Sequence, residues 1–242
     1  MKRPKTMILL RKTNDRTEDK FFRRVRDYVI PRLIERCGDS VDGLTINRVE
    51  EMNFRGGMPT NAAGHIWSAI VEVYFSREAD MLPAITDAIL PTLNESEDIL
   101  FDNAVVPVTE IMMYDNLTSP DPVKIFGLFH ITGGLTRSEV HRYWHGPHAE
   151  MGLQLKADTI IRKYSQNHTL LDYVAPDPRY RYDGASIAYF DTVEDAGKIY
   201  RNPAVLDVAE ADELLMGTEP AAVVSIAVRE EIVFDRNGSH ST

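Results

Sequence analysis

Histidine is concentrated in one stretch of this 242-residue chain, since five of its seven histidines lie between His130 and His168. Histidine changes its charge near neutral pH and is the side chain used most often for general acid–base catalysis. His141, His145 and His148 follow one another at spacings of four and three, which places them on one helix face. We therefore take His148 and His168 as candidates for the acid and base of a proton transfer. A structural role for His148, tying the end of its helix to a backbone carbonyl, is the alternative.

The same three helical histidines could instead bind a metal, because two histidines four residues apart on a helix are half of a zinc motif. Against a metal, Pro147 disturbs the spacing, and the motif lacks a glutamate between the paired histidines. The chain also has no glycine-rich dinucleotide turn, cysteine cluster or haem-attachment motif. We expect neither a metal nor an organic cofactor.

Hydroxyl and amide side chains near these histidines are candidates for hydrogen bonds to a substrate carbonyl or phenolate. The predicted substrate-binding residues are Tyr143, Tyr164, Asn167, His145 and Tyr173. Each tyrosine could equally be an amphipathic core residue, and Asn167 could cap a turn.

The elements that must position these residues occur twice. In the first half, apolar runs predict strands over residues 6–13, 45–54, 65–76 and 104–115. Apolar residues at helical spacing predict helices over 17–37, closed by Gly38, and over 78–93. Pro107 in the last strand indicates an edge position or a bulge. The order is β-α-β-β-α-β.

The same order begins again after a turn-rich linker. Strands are predicted over 123–132, 159–171, 182–192 and 221–234, and helices over 136–155 and 193–216. Thr136 and Glu139 have the spacing of a capping box, and the second helix is interrupted near Asn202 and Pro203. Direct similarity between the halves is limited to a Tyr-Phe pair, so the repeat is one of element order.

The β-α-β-β-α-β order is that of the ferredoxin-like unit, in which both helices cover one face of an antiparallel sheet. Because the other apolar face needs a partner, we predict an α+β fold in which two fused ferredoxin-like units form an intrachain barrel. A barrel of about eight strands is wide enough to hold one small ligand, which we place inside it. The first unit covers residues 1–116, the linker 117–122, the second unit 123–235, and 236–242 form a frayed tail.

Charge and composition exclude several classes of protein. The net charge is −10, and the basic run at residues 1–5 reads as a solvated terminus, so nucleic acid is not an expected partner. No segment approaches the roughly 18 apolar residues of a membrane span, and we expect a soluble cytoplasmic protein. Cys37 is the single cysteine and cannot form an internal disulfide.

Four motifs in the second half resemble the EthD family of dimeric α+β-barrel proteins. In the first helix, the matching residues are Leu135, Thr136, Tyr143, Trp144, His148 and Ala149. In the next two strands they are Arg162, Tyr164, Gln166, Asn167 and His168, then Tyr182, Asp183, Gly184, Tyr189 and Phe190. Near the end they are Ala211, Asp212 and Glu213, then Glu230 and Glu231. The chain departs from the family in having Pro147 before the helix histidine and Glu150 after it.

The resemblance implies a homodimer that binds a small molecule and needs no metal, and it implies that His148 and His168 share a pocket, which spacing alone does not. Aligning Thr17 with Thr136 places Val25 opposite Trp144 and Val29 opposite His148, so the first half is a degenerate partner and at most one site is intact. Similar barrels include degradation-pathway accessory proteins, cofactor-independent monooxygenases, decarboxylases, dehydratases and polyketide cyclases.

Three functions remain open at this point. The first, which is our main prediction, is a cofactor-free lyase or isomerase that removes a proton next to a carbonyl of a small, partly aromatic substrate, with loss of water or carbon dioxide or with ring closure. The second is a cofactor-free monooxygenase, in which the substrate carbanion itself reduces oxygen. The third is a non-catalytic small-molecule binding protein.

Overall fold

A computed structural model describes residues 2–50, 67–154, 159–219 and 223–236. Eight antiparallel strands close into a barrel in the order β1-β3-β2-β8-β5-β7-β6-β4, with β4 returning to β1. Their bounds are β1 Lys2–Lys12, β2 Val41–Val49, β3 Ala69–Phe75, β4 Leu100–Asp115, β5 Val123–Phe129, β6 Lys163–Thr169, β7 Gly184–Phe190 and β8 Val224–Asp235. The predicted α+β class with an antiparallel barrel is confirmed. The order within the first half, β4-β1-β3-β2, recurs in the second as β8-β5-β7-β6.

Helices cover the outside of the barrel. They are α1 Glu18–Arg24, α2 Ile30–Cys37, α3 Met81–Ala84, α4 Leu90–Asn94, α5 Arg137–Tyr143, α6 Ala149–Gln154, α7 Val193–Tyr200 and α8 Pro203–Leu215. Within the described ranges, no helix combines the length and the apolar composition needed to cross a bilayer.

The first helical region of each half has the same internal structure. Thr17 caps α1 and Thr136 caps α5, the latter with the predicted capping box to Glu139. Both regions then pass through a π-helical turn, Val25–Val29 in the first half and Trp144–His148 in the second. The two turns coincide under the alignment of the threonine caps. Pro147 lies inside the second one, where the wider turn tolerates its missing N–H.

The interior of the barrel is filled by side chains, which corrects the expectation that it holds the ligand. Inward-pointing apolar residues from both halves form one core, among them Met7, Leu9, Ile70, Val106, Phe126, Leu128, Ile187 and Ile226. Eight-stranded barrels are narrow enough for side chains to fill them, and this one follows that pattern.

A chain of alternating charges crosses the barrel beside this core. Lys5 Nζ lies 2.6 Å from Glu72 and 2.9 Å from Glu110, and the Lys124 ammonium donates to both Glu72 and Glu230. Burial alone would raise the pKa of Glu72, but the two lysines hold it far below its usual range. The expectation that residues 1–5 are solvated is therefore wrong at Lys5, whose side chain is fully buried because it has these partners.

The barrel lining preserves a repeat that the overall sequence hides. Lys5 in β1 and Lys124 in β5 each face a tyrosine on one neighbouring strand and a valine on the other. The equivalent lining pairs are Lys5 and Lys124, Thr45 and Ser165, Asn47 and Asn167, Tyr74 and Tyr189, and Glu110 and Glu230. Glu72 breaks the symmetry, since Ile187 takes its place in the second half.

Pro107 does not lie in an edge strand or at a bulge, because β4 is paired on both sides. Its carbonyl accepts from Leu170 N, just beyond the end of β6. In an antiparallel strand the N–H and C=O of one residue point to the same side, so the missing donor falls where β6 has ended. The predicted strand at 65–76 begins in the structure at Ala69, and His65 lies outside the described residues.

Candidate functional site

The candidate site is a cavity of about 410 Å³ on the outer face of the second-half strands, beneath helices α6, α7 and α8. It lies in the predicted half but outside the barrel. Its walls are largely apolar, with a few hydroxyls and a carboxylate. Its lining comprises Met113, Tyr114, Asn116, Gly127, His148, Ala149, Met151, Gly152, Ile161, Tyr164, Ser186, Ala188, Ile199, Tyr200, Val205, Leu206, Ala209, Glu213, Val223 and Ser225. This volume falls at the lower end of the range for small-molecule sites, roughly 300–1,000 Å³.

His148 reaches the cavity from the end of the π-helical turn. Its Nδ1 lies 2.5 Å from Oδ2 of Asp212 on α8, and Oδ1 of Asp212 accepts the Tyr143 hydroxyl at 2.8 Å. A carboxylate can only accept, so Nδ1 carries the proton and Nε2 is left as the basic nitrogen. The arrangement is that of a general base oriented by a carboxylate.

The Asp212 carboxylate, which lies between His148 and Tyr143, is ionised. Burial raises the pKa of Asp212, but the hydrogen bonds from His148 and Tyr143 outweigh it and hold the value below the usual range. Burial and the Asp212 charge together raise the pKa of Tyr143, so its phenol stays protonated. Asp212 therefore keeps a negative charge next to the imidazole, where it stabilises the imidazolium formed when the base takes a proton.

Tyr164, one of the candidate substrate-binding residues, lines the cavity. Burial raises its pKa to about 12, against hydrogen bonds from Trp144 and Gln166 that act in the opposite direction. Its ring lies 6.1 Å from that of Tyr114. A neutral phenol in an apolar wall can donate a hydrogen bond to a substrate oxygen.

His168 does not share the cavity with His148. Tyr164 and His168 point to the same face of β6, but four residues at about 3.3 Å each separate them by on the order of 13 Å. His168 instead stacks on Trp144, with ring centroids 4.8 Å apart, and lies 4.5 Å from the His141 ring. Burial, with the neighbouring His141 and His145, lowers the pKa of His168 to about 3. A histidine this hard to protonate is a poor general base near neutral pH.

Three further predicted substrate contacts lie away from the cavity. His145 is exposed, with its ring 6.2 Å from that of His168. Asn167 points into the barrel, because its neighbours on β6 face the helices, and its Nδ2 donates to Ala185 O at 3.0 Å. The Tyr173 hydroxyl donates to the Val105 carbonyl at 2.7 Å, which fixes a loop to the sheet. Tyr143 contributes through Asp212.

The helical histidines considered as metal ligands, His141, His145 and His148, do not converge on one point. His141 Nε2 lies 2.8 Å from the Asp183 carbonyl, and burial lowers the pKa of His141. His148 is committed to Asp212 on a different helix. In the part of the chain that the structure covers, no three histidine, cysteine, aspartate or glutamate side chains are grouped so as to hold a metal.

Sequence reasoning missed the residue that completes the site. Asp212 belongs to the Ala-Asp-Glu motif that resembles the EthD pattern, so this motif was the available signal. The cavity floor, formed by Gly127, Ser186 and Ser225, has no recognisable motif, because its members come from three separate strands.

Comparisons with known proteins identify one domain by sequence and show which solved structures share the fold. Residues 132–215 match the EthD domain. No curated protein sequence matches the chain.

Several solved structures share the architecture over nearly the whole chain. An anthrone oxidase-like protein superposes with a TM-score of 0.62 at 11 % identity, covering 97 % of this chain and 94 % of that one. A chlorite dismutase variant from Candidatus Nitrospira defluvii gives 0.54 at 8 % identity, covering 93 % and 91 %. A candidate monooxygenase from Lactobacillus acidophilus NCFM gives 0.51 at 8 % identity, covering 97 % and 96 %. Identities this low show a shared fold.

Proposed function

We propose that this chain, which carries an EthD domain over residues 132–215, is a cofactor-independent monooxygenase of a small aromatic substrate with an acidic C–H group. The observation that carries the proposal is the His148–Asp212 pair at the wall of an apolar cavity. Such a pair can remove a proton from carbon, and an apolar wall lets a delocalised carbanion form away from water.

The reaction needs molecular oxygen as its only co-reactant. His148 Nε2 takes a proton from a methylene carbon that is activated by a conjugated carbonyl. The carbanion passes one electron to oxygen, and the resulting carbon radical and superoxide combine to form a C–O bond. The imidazolium returns its proton to give a hydroperoxide, and loss of the second C–H proton with cleavage of the O–O bond releases water. The balance is R₂CH₂ + O₂ → R₂C=O + H₂O.

Tyr164 supports the first step in this scheme. When the carbanion forms, its negative charge is delocalised onto the carbonyl oxygen of the substrate. A neutral phenol donating to that oxygen stabilises the developing charge. Its pKa of about 12 keeps the Tyr164 proton in place at neutral pH.

The fold neighbours guide the choice between oxygenation and the lyase or isomerase reaction. One is described as anthrone oxidase-like and another as a candidate monooxygenase, which favours oxygenation. An anthrone has the required methylene group between two rings and opposite a carbonyl. We therefore take anthrones as the first substrate class.

Two architectural proposals accompany this function. The repeated strand order and the paired barrel-lining residues support two fused ferredoxin-like units. A homodimer stays a proposal from the family resemblance, and a sedimentation mass of one or two 27.4 kDa chains decides it.

Oxygen uptake with a hydroxylated anthrone tests the function. We expect one oxygen consumed per anthraquinone formed, above the spontaneous rate, and a loss of at least about 100-fold in His148→Ala. His145→Ala, on the same helical region but exposed, is the matched control and should stay close to the wild type. Product formed without oxygen uptake would instead indicate a lyase or isomerase, and binding without turnover would indicate a binding protein.

A further inference from the structure

Three small residues lie side by side across the cavity floor. Gly127 in β5 pairs with Ser186 in β7 on one side and with Ser225 in β8 on the other. All three line the cavity. Together they form a row perpendicular to the strands, about 4.8 Å from one strand to the next.

The first half has the equivalent row filled with large side chains. Because Lys5 is equivalent to Lys124, Ile8 is the first-half equivalent of Gly127. Ile8 pairs with Val71 and Val105 as Gly127 pairs with the two serines. Ile8, Val71 and Val105 are buried in one core cluster, at 0 %, 0 % and 7 % exposure.

The filled row closes the space that the small row leaves open. In the first half, Ile8 belongs to the same core cluster as Val25 and Val29 of the π-helical turn. Val29 is equivalent to His148, which lines the cavity in the second half. The cavity beneath His148 therefore exists because an isoleucine and two valines are replaced by a glycine and two serines.

The two serines also give the floor hydrogen-bonding capacity. The Ser225 hydroxyl is part of the cavity lining, although the residue is only 9 % exposed. Ser186 Oγ lies 3.5 Å from the Gly127 carbonyl, the outer limit for a hydrogen bond. Two alanines would leave at least as much space but could not donate, so the serines contribute hydrogen-bond donors as well as space.

We infer that Gly127, Ser186 and Ser225 form a specificity floor for a planar multi-ring aromatic molecule that bears hydroxyl or carbonyl oxygens. The ring lies over Gly127, where the Ser186 hydroxyl stands 2.5 Å from the place that a Cβ would take, and the serine hydroxyls bond to ring oxygens. The choice of aromatic class rests on the proposed function. The floor itself rests on the strand register and on the cavity lining.

Equilibrium binding of a hydroxylated anthraquinone tests this inference separately from turnover, because the quinone is already fully oxidised at the reacting carbon. Gly127→Ile, which restores the first-half residue, should weaken binding at least about 100-fold. A Cβ at position 127 would stand 2.5 Å from Ser186 Oγ, so the variant displaces the Ser186 hydroxyl as well as filling the floor, and its melting temperature is measured to show that it folds. Ser225→Ala should weaken the hydroxylated quinone about 3- to 10-fold, the effect of one hydrogen bond, and leave unsubstituted anthraquinone unchanged.

Val71→Ser is the matched control, because it introduces a serine at the equivalent position of the first half. It should lower stability and leave quinone affinity unchanged. Three results would overturn the floor. They are an unchanged quinone affinity in Gly127→Ile, equal losses of affinity for both quinones in Ser225→Ala, and no quinone binding by the wild type. If Gly127→Ile does not fold, Ser225→Val gives the same test of lost space and lost donor. Quinone binding without anthrone oxidation would refute the proposed function while leaving the floor intact.

Discussion

The imidazole of His148 and the carboxylate of Asp212 are joined by a 2.5 Å contact between Nδ1 and Oδ2. The two residues are 64 positions apart, His148 in a π-helical turn and Asp212 in the last helix. Only the packing of α8 against the first helical region of the second half brings them together. Tyr143 holds the second carboxylate oxygen and restricts rotation of the Asp212 side chain.

Asp212→Asn should reduce turnover by at least about 10-fold, because an amide does not stabilise the imidazolium and can favour the wrong tautomer. Asp212 acts through His148, so the decisive readout is the pH–rate profile. Its acid limb should move to lower pH in Asp212→Asn and stay in place in Tyr143→Phe. An unchanged acid limb in Asp212→Asn would refute the positioning role.

His168→Leu should keep turnover within about threefold of the wild type and lower the free energy of unfolding by roughly 1–3 kcal/mol. The reason is its stacking on Trp144, away from the cavity. Urea denaturation and oxygen uptake measure the two effects. A large loss of turnover in a folded variant would restore His168 to the site.

The stability of the protein should fall as the pH is lowered from about 6.5. The pKa of His168 falls from 6.5 to about 3 on folding, so below pH 6.5 the unfolded chain binds a proton that the folded chain does not. The contribution of neutral His168 to the free energy of unfolding is therefore fully present above pH 6.5, the pKa in the unfolded chain. It is lost progressively as the pH falls toward 3. His168→Leu should flatten this slope between pH 6.5 and 5, where carboxylates remain ionised. Equal slopes for both proteins in urea titrations would contradict the assignment.

Glu72→Gln should destabilise the barrel by about 3–5 kcal/mol, because it leaves two buried lysines without their shared partner. Glu231→Gln is the matched control, since Glu231 pairs with Arg26 at the surface and should change stability by less than about 1 kcal/mol. Denaturant midpoints at neutral pH provide the comparison. Similar small effects of both variants would show that the charge chain does not hold the barrel closed.

Local patterns were sufficient for the elements and for one half of the site. Helical spacing, the Thr136–Glu139 capping box and the interruption at Asn202 are set by neighbours within a few residues, and the structure contains all three. The motif around His148 likewise lies within one helical region. The predicted antiparallel barrel followed from the repeated element order.

What the sequence alone determined about this protein is therefore its element order, its α+β class and the half that carries the candidate base. Tertiary structure alone decided that Asp212 orients His148, that His168 stacks on Trp144, and that the cavity lies outside a filled barrel. These facts depend on which side chains meet across strands and helices distant in sequence. Strand register and helix packing set such meetings, and no local spacing encodes them.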